Sequence, residues 1–231
     1  MKKIEKKIIA IIPARKGSKS IKDKNIIPFK GKPLLYYSIR AALKSKLIDE
    51  VIVSTDSKKY KKIALKYGAE VPYLRPKKYS LDKSLDIDFM KHATRYFIKI
   101  KKYNQNSFFF VLLRPTTPMR DYKIIDLGIK KFLKNFKRYD SMRSVSKFNQ
   151  PPQKMFYIKK KTLKGYFDDK YKFEYHSYPR QSFFQSYLPN GYIDILKPSY
   201  FLNSKKKLFG KIYPFITKEI LDIDEKKDLL K

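Results

Sequence analysis

The chain has 231 residues, with 55 Lys plus Arg against 21 Asp plus Glu, a formal net charge of +34 and no cysteine. That length suffices for one globular unit spanning the whole chain, and the missing cysteines exclude a disulfide framework and a thiolate metal site. So high a charge points first to polyanions, yet the lysines are spread over nearly every segment, which disfavours nucleic acid as main partner and is compatible with small anionic substrates. Met1 to Lys7 is charged, and the apolar run behind it is too short for a signal core before Pro13 and Arg15. No run approaches membrane-spanning length, so a cytoplasmic protein without a membrane partner is the expectation.

The first apolar strand, Ile8 to Ile12, runs into Pro13-Ala14-Arg15-Lys16-Gly17-Ser18-Lys19-Ser20, with Lys24 and Asn25 soon after. A loop of Arg, Gly, Ser and Lys at the carboxyl end of a buried strand can wrap phosphates, and it can also be a basic turn. Its spacing is neither G-x-x-x-x-G-K-[ST] nor G-x-G-x-x-G. A helix from Pro33 to about Lys46 follows, with Leu34, Leu35, Ile39, Ala42 and Leu43 on one face. Val51 to Val53 is the second strand, Ser54-Thr55-Asp56-Ser57 has capping chemistry, and a helix over Tyr60 to Tyr67 stops at Gly68.

Val71 to Leu74 reads as a short third strand, and a helix from about Leu85 to Lys101 precedes Phe108 to Leu113, the most apolar run and a central strand. After Arg114-Pro115-Thr116-Thr117-Pro118-Met119-Arg120, Asp121 can cap a helix whose stripe is Ile124, Ile125, Leu127, Ile129, Phe132 and Leu133. A strand around Ser144 to Ser146 follows. From about 148 to 188 aromatics and lysines alternate and prolines intrude, which reads as an inserted β-rich arm that either pairs subunits or folds onto its own chain. Parallel-sheet character resumes at Gly191 to Leu196. The pattern as a whole is α/β: a Rossmann-like, mostly parallel sheet with helices on both faces.

Asp222 and Asp224 alternate along an extended stretch, which turns both carboxylates to one face. Such a pair suits a divalent cation such as Mg²⁺, held by one or two carboxylates plus substrate phosphates; the other reading makes Asp224 a helix cap. The loops at 15–25, 54–57 and 114–120 and the one carrying these acids should converge at the carboxyl ends of the strands. Cations there neutralise a triphosphate and the acids supply a metal, the equipment of nucleotidyl transfer. His92 and His176 fall outside these loops.

Ile12 to Lys19, Lys24-Asn25, Gly31-Lys32-Pro33-Leu34, Ser54-Thr55-Asp56, Arg75-Pro76, Leu113 to Arg120, Pro179-Arg180-Gln181, Asn190-Gly191 and Ile223-Asp224 together resemble, in order and over nearly the whole chain, the CMP-N-acylneuraminate synthetases. The resemblance implies a cytidylyltransferase joining CTP to a nonulosonic, sialic-acid-like sugar acid with Mg²⁺, releasing pyrophosphate. It implies that Arg15 and Lys24 do the chemistry, that these two with Ser18, Lys19, Asn25 and Arg114 hold the nucleotide, and that Lys154, Arg180, Gln181 and Asn190 meet the sugar acid. It also implies that Asp222 and Asp224 bind the metal and that the arm forms a homodimer.

Two positions depart from the family pattern. Arg114 stands where the best-known members carry Gln, which leaves sugar identity, and more weakly base identity, open. Asp86 stands where a serine near CTP is expected, and that contact is not carried over. A sister enzyme using 3-deoxy-manno-octulosonic acid, or GTP with a related sugar, is the neighbouring alternative, and a nucleic-acid-binding module the one from another class.

Overall fold

Successive side chains of a strand leave on opposite faces, and along the first strand this alternation sets the layers. In the computed structural model, which describes residues 6–18, 20–171 and 173–230, β1 (Lys7–Pro13) sends Ile8, Ala10 and Ile12 into one apolar cluster and Ile9 and Ile11 into another. A hairpin of β2 (Pro28–Phe29) and β3 (Lys32–Pro33) precedes α1 (Leu34–Lys44), and β4 (Glu50–Ser54) leads to α2 (Lys58–Lys66). Then come α3 (Asp86–Lys99), β5 (Phe108–Leu112), α4 (Tyr122–Lys134) and β6 (Ser141–Phe148). The arm carries β7 (Phe156–Lys159) and β8 (Thr162–Gly165), and the chain returns through β9 (Ser186–Leu196), α5 (Pro198–Phe201) and β10 (Ile212–Ile216).

Helices α1, α2 and α4 bury Leu35, Ile39, Tyr60, Ala64, Ile125, Ile129 and Phe132 on one face. The other face is covered by Ile87, Phe89, Met90, Ala93 and Phe97 of α3 and Phe201 of α5. The expected α/β sandwich is therefore present. Both anticipated caps form: Ser57 Oγ accepts from the Tyr60 N–H, and an Asp121 carboxylate oxygen accepts from the Lys123 N–H. None of the helices among the described residues is long and apolar enough to cross a membrane.

The six strands lie in the order β10-β6-β9-β5-β1-β4. β10 pairs with β6, β5 with β1 and β1 with β4 in parallel, but β9 runs antiparallel to both β5 and β6. The parallel strand expected at Gly191 to Leu196 is thus reversed. A buried apolar run looks alike in either direction; here the chain returns from β6 through the arm without a crossover helix, and that favours antiparallel pairing.

Other departures have local causes. Val71 to Leu74 forms no ladder, only single bridges of Glu70 to Ile52 and Leu74 to Thr55, because Pro72 between them has no N–H to give. Strand β10 was not anticipated; Pro214 at its centre is tolerated because the strand lies at the sheet margin. Leu43, Leu127 and Leu133 are 43%, 43% and 39% exposed rather than core. Leu127 sits two residues from Ile125, on nearly the opposite side of a 3.6-residue turn. The arm is less strand-rich than expected: one exposed hairpin with four residues in each strand, joined by 3-10 turns, and β9 begins at Ser186, inside the expected arm.

Phe97 is fully buried against Phe108 and Phe110. Phe97→Ala should lower unfolding stability by about 3–5 kcal/mol, read as a shifted urea midpoint with unchanged slope. His92 meets Tyr73 edge-on at 4.7 Å and Tyr79 at 5.6 Å, and burial, then Arg75, Arg95 and Lys78, hold its pKa below the ordinary 6.5. The unfolded chain therefore takes up this proton first as pH falls, so acidification below 6.5 costs stability that is intact above it. Urea midpoints measured at neutral and mildly acidic pH should drop less for His92→Gln than for the wild type.

Candidate active site

The loop after β1 is held open by its own backbone and by neighbours. Lys16 N–H donates to Asp56 Oδ1 at 2.9 Å, Asn25 Nδ2 donates to the Arg15 carbonyl at 2.9 Å, and Tyr60 Oη donates to Asp23 Oδ1 at 2.8 Å. Asp23 adopts φ 55° immediately before the 3-10 turn Lys24–Ile26, which turns Lys24 inward to 8% exposure.

The Lys24 ammonium donates to the Ile223 carbonyl at 3.1 Å, the Asp224 carbonyl at 3.3 Å and Asp224 Oδ1 at 2.9 Å. Ile223 is fully buried with Ile21, Phe29 and Leu34, and its N–H donates to the Thr116 carbonyl at 2.8 Å. Asp222 and Asp224 on either side are exposed, the alternation the sequence predicts. The first loop, the 114–120 loop and the acid segment therefore meet. The helix-cap role is filled instead by Asp228, whose carboxylate accepts from the Asp224 and Glu225 N–H groups.

The first loop and the 114–120 loop border a cleft of about 270 Å³ lined by Arg15, Ser18, Lys24, Asn25 and Arg114 on the sequence-predicted side; Asp222 and Asp224 do not line it, and their segment joins it through Lys24. Lys19 lies outside the described residues. The opposite wall is formed by Arg75, Tyr79, Leu81, Ser84, Asp86 and Phe89; of these the sequence marked only the position of Asp86 as near CTP. The Arg75-Pro76 pair, one of the motifs that carry the family resemblance, was the available signal for the rest. Arg75 donates to Ser54 Oγ and O at 3.1 and 2.6 Å, lies 4.4 Å over the Phe89 ring, and has its pKa pushed down to about 10 by burial. Arg15 reaches across to this wall, donating to the Leu81 carbonyl at 2.6 Å and lying 3.3 Å from Asp82.

Arg114 spans the floor. Nη1 donates to Asp194 Oδ2 at 2.8 Å and Nη2 to Asp86 Oδ2 at 2.6 Å. Burial opposes its charge, but the two carboxylates outweigh that and raise its pKa. Arg120, also missed, ties the loop down: it donates to the carbonyls of Tyr192 at 2.6 Å, Gly191 at 2.7 Å and Thr117, and to Ser38 Oγ at 2.9 Å. Burial, then Arg114, pushes its pKa down to about 9, while Asp222 acts in the other direction. Gly191 has φ +68°, and a Cβ there would lie 2.9 Å from Thr117 Oγ1, so a side chain would disturb this junction.

The expected sugar-binding residues do not line this cleft within one chain. Arg180 and Gln181 border a second hollow with Phe148, Asn149, Pro151 and Phe184, and Arg180 donates to the Asn149 carbonyl at 2.9 Å. Lys154 donates to the His176 carbonyl at 3.0 Å, and Asn190 donates to Thr217 Oγ1 at 2.6 Å. Among the described residues no cluster of three His, Asp or Glu is present. Asp222 and Asp224 are exposed carboxylates of one segment, the donor type of which Mg²⁺ takes one or two while water and phosphate oxygens complete its shell.

Residues 9–101 match the family described as cytidylyltransferase. The chain is 37% identical over 96% of its length to an N-acylneuraminate cytidylyltransferase of Escherichia coli O18:K1:H7, and spans about half, 50%, of that relative's length. It is 36% identical to a pseudaminic acid cytidylyltransferase of Campylobacter jejuni, covering 71% of this chain and 69% of that protein. A solved structure named as CMP:2-keto-3-deoxy-manno-octonic acid synthetase complexed with CTP shares the fold with a TM-score of 0.69 at 15% identity, over 97% of this chain and 95% of that one. Sequence, fold and cleft agree: the chain belongs to the cytidylyltransferase family.

Proposed function

We propose that this chain transfers the cytidylyl group of CTP to a nonulosonic acid, giving the CMP-sugar and pyrophosphate. The observation that supports the reading is the Lys24–Asp224 contact at 2.9 Å, which ties a buried cation lining the cleft beside Arg15, Ser18 and Asn25 to the exposed acid segment. The sugar's anomeric oxygen forms a bond to the α-phosphorus as the bond to the bridging oxygen of pyrophosphate breaks. In-line displacement of this kind asks the protein for alignment and charge neutralisation more than for a nucleophile. Lys24 meets the charge on the α-phosphoryl oxygens, while Arg15 leaves the 80–82 loop to take the outer phosphates. Asn25, Ser18 and Arg114 set the nucleotide's place. Asp222 and Asp224 would hold Mg²⁺, which supplies Lewis-acid neutralisation of the phosphates.

The separation of Arg180 and Gln181 from the cleft supports a homodimer in which the arm serves a neighbouring site. Ile158, Leu163 and Phe184 on or beside it are 76%, 60% and 97% exposed, apolar surface that a second copy would cover. The acceptor is read best as a sialic-acid-like sugar acid because relatives named for N-acylneuraminate and pseudaminic acid match most of the chain.

Pyrophosphate release with CTP, Mg²⁺ and a panel of N-acetylneuraminic, legionaminic, pseudaminic and 3-deoxy-manno-octulosonic acids tests the activity; silence across the panel would reject it. Lys24→Ala should lower kcat by about 10²–10³-fold, the cost of losing one preorganised charge-stabilising donor. Arg180→Ala should mainly raise the KM for the sugar acid and leave that for CTP unchanged. Asp222→Asn and Asp224→Asn should each move half-saturation by Mg²⁺ to higher concentration, and an unmoved titration in both would remove the acid pair from the metal site.

A further inference from the structure

The wall facing the phosphate loop combines Tyr79 and Leu81, aromatic and apolar surface for a flat ring, with one carboxylate at its end, Asp86. Asp86 is the first residue of α3, and its side chain is 44% exposed to the cleft. Arg114 Nη2 occupies Oδ2 at 2.6 Å, while the other end of the guanidinium is anchored at 2.8 Å on Asp194, itself 2% exposed. The fork is planar, so the two anchors fix its direction, and the fork in turn holds Oδ2 of Asp86 toward Arg114. Among the described residues Oδ1 of Asp86 receives no hydrogen bond.

We propose that Asp86, oriented by Arg114, reads the nucleobase by accepting a hydrogen bond from the exocyclic amine of cytosine. The inference rests on the cytidylyltransferase reading above. An ionised carboxylate accepts and never donates. Uracil presents an oxygen where cytosine presents the amine, so two acceptors would face each other and UTP is rejected. Guanine's two adjacent N–H groups pair best with both carboxylate oxygens, and Oδ2 is already turned to Arg114; the amine of cytosine needs Oδ1 alone. Arg114 is then a positioning residue, its cation spent on two aspartates and not on phosphate.

The same geometry makes Asp86→Asn informative. Arg114 donates only, so the new amide must turn its oxygen to the guanidinium and present its NH₂ to the base, the wrong partner for cytosine and the right one for uracil. Affinities for CTP and UTP, with Mg²⁺ and no sugar, should be measured by titration calorimetry. The wild type should favour CTP about tenfold or more, the worth of one charge-assisted hydrogen bond. Asp86→Asn should abolish or invert that ratio, and Asp86→Ala should abolish it without gaining UTP. Melting temperature reports folding of each variant, and Arg114 keeps Asp194 in both. A wild-type ratio retained in Asp86→Asn overturns the inference, as does a wild type that binds UTP or GTP as tightly as CTP. A CTP preference controlled by residue 86 in a protein that releases no pyrophosphate with any acid of the panel would support this inference and reject the proposed function.

Discussion

A lysine ammonium with 8% of its residue exposed needs acceptors, because a buried cation left without them loses its solvation and gains nothing in return. Lys24 finds three, all on residues about 200 positions later in the chain. That demand fixes where the acid segment must lie, and Ile223 secures it from below by filling a pocket among Ile21, Phe29 and Leu34. The pairing is lopsided: the Lys24 side chain is 10% exposed and that of Asp224 72%. An exposed carboxylate contributes little to stability in such a pair, on the order of 1 kcal/mol or less, so it is free to exchange the lysine for other company when a charged ligand arrives.

Arg120 plays the corresponding part for the loop after β5. Its guanidinium gathers the carbonyls of Thr117, Gly191 and Tyr192 and the hydroxyl of Ser38, joining α1, the loop and β9 at one point. Because β9 is antiparallel to both its neighbours, its first half runs past the carboxyl end of β5 while staying paired with β6. It thereby delivers Asp194 beneath Arg114, Gly191 beside Arg120 and Thr117, and Asn190 against Thr217 and Lys218.

Much of the fold is legible in the sequence because burial on both faces leaves unbroken apolar runs, as in Ile8 to Ile12 and Phe108 to Leu113, and because Ser57 and Asp121 announce helix starts. Strand direction is not legible, since hydrophobicity has no polarity along the chain, and β10 was hidden by Pro214. At the site, motif residues such as Arg15, Lys24 and Asn25 could be placed because their loop follows a strand end. The Arg114–Asp86 pair could not: each residue on its own is a departure from pattern, and only their 2.6 Å separation makes them one feature. Lys154, Arg180 and Gln181 were legible as residues and not as neighbours of the cleft, because proximity to it within a single chain is not what their sequence positions encode.

Pro214 has a second effect. It sits in β10, one lateral margin of the six-stranded sheet, so that margin carries a stretch with a missing donor. Lateral growth by strand addition from another molecule is therefore discouraged on that side. For a chain rich in β-branched and aromatic residues this is a safeguard against fibrous association along that edge.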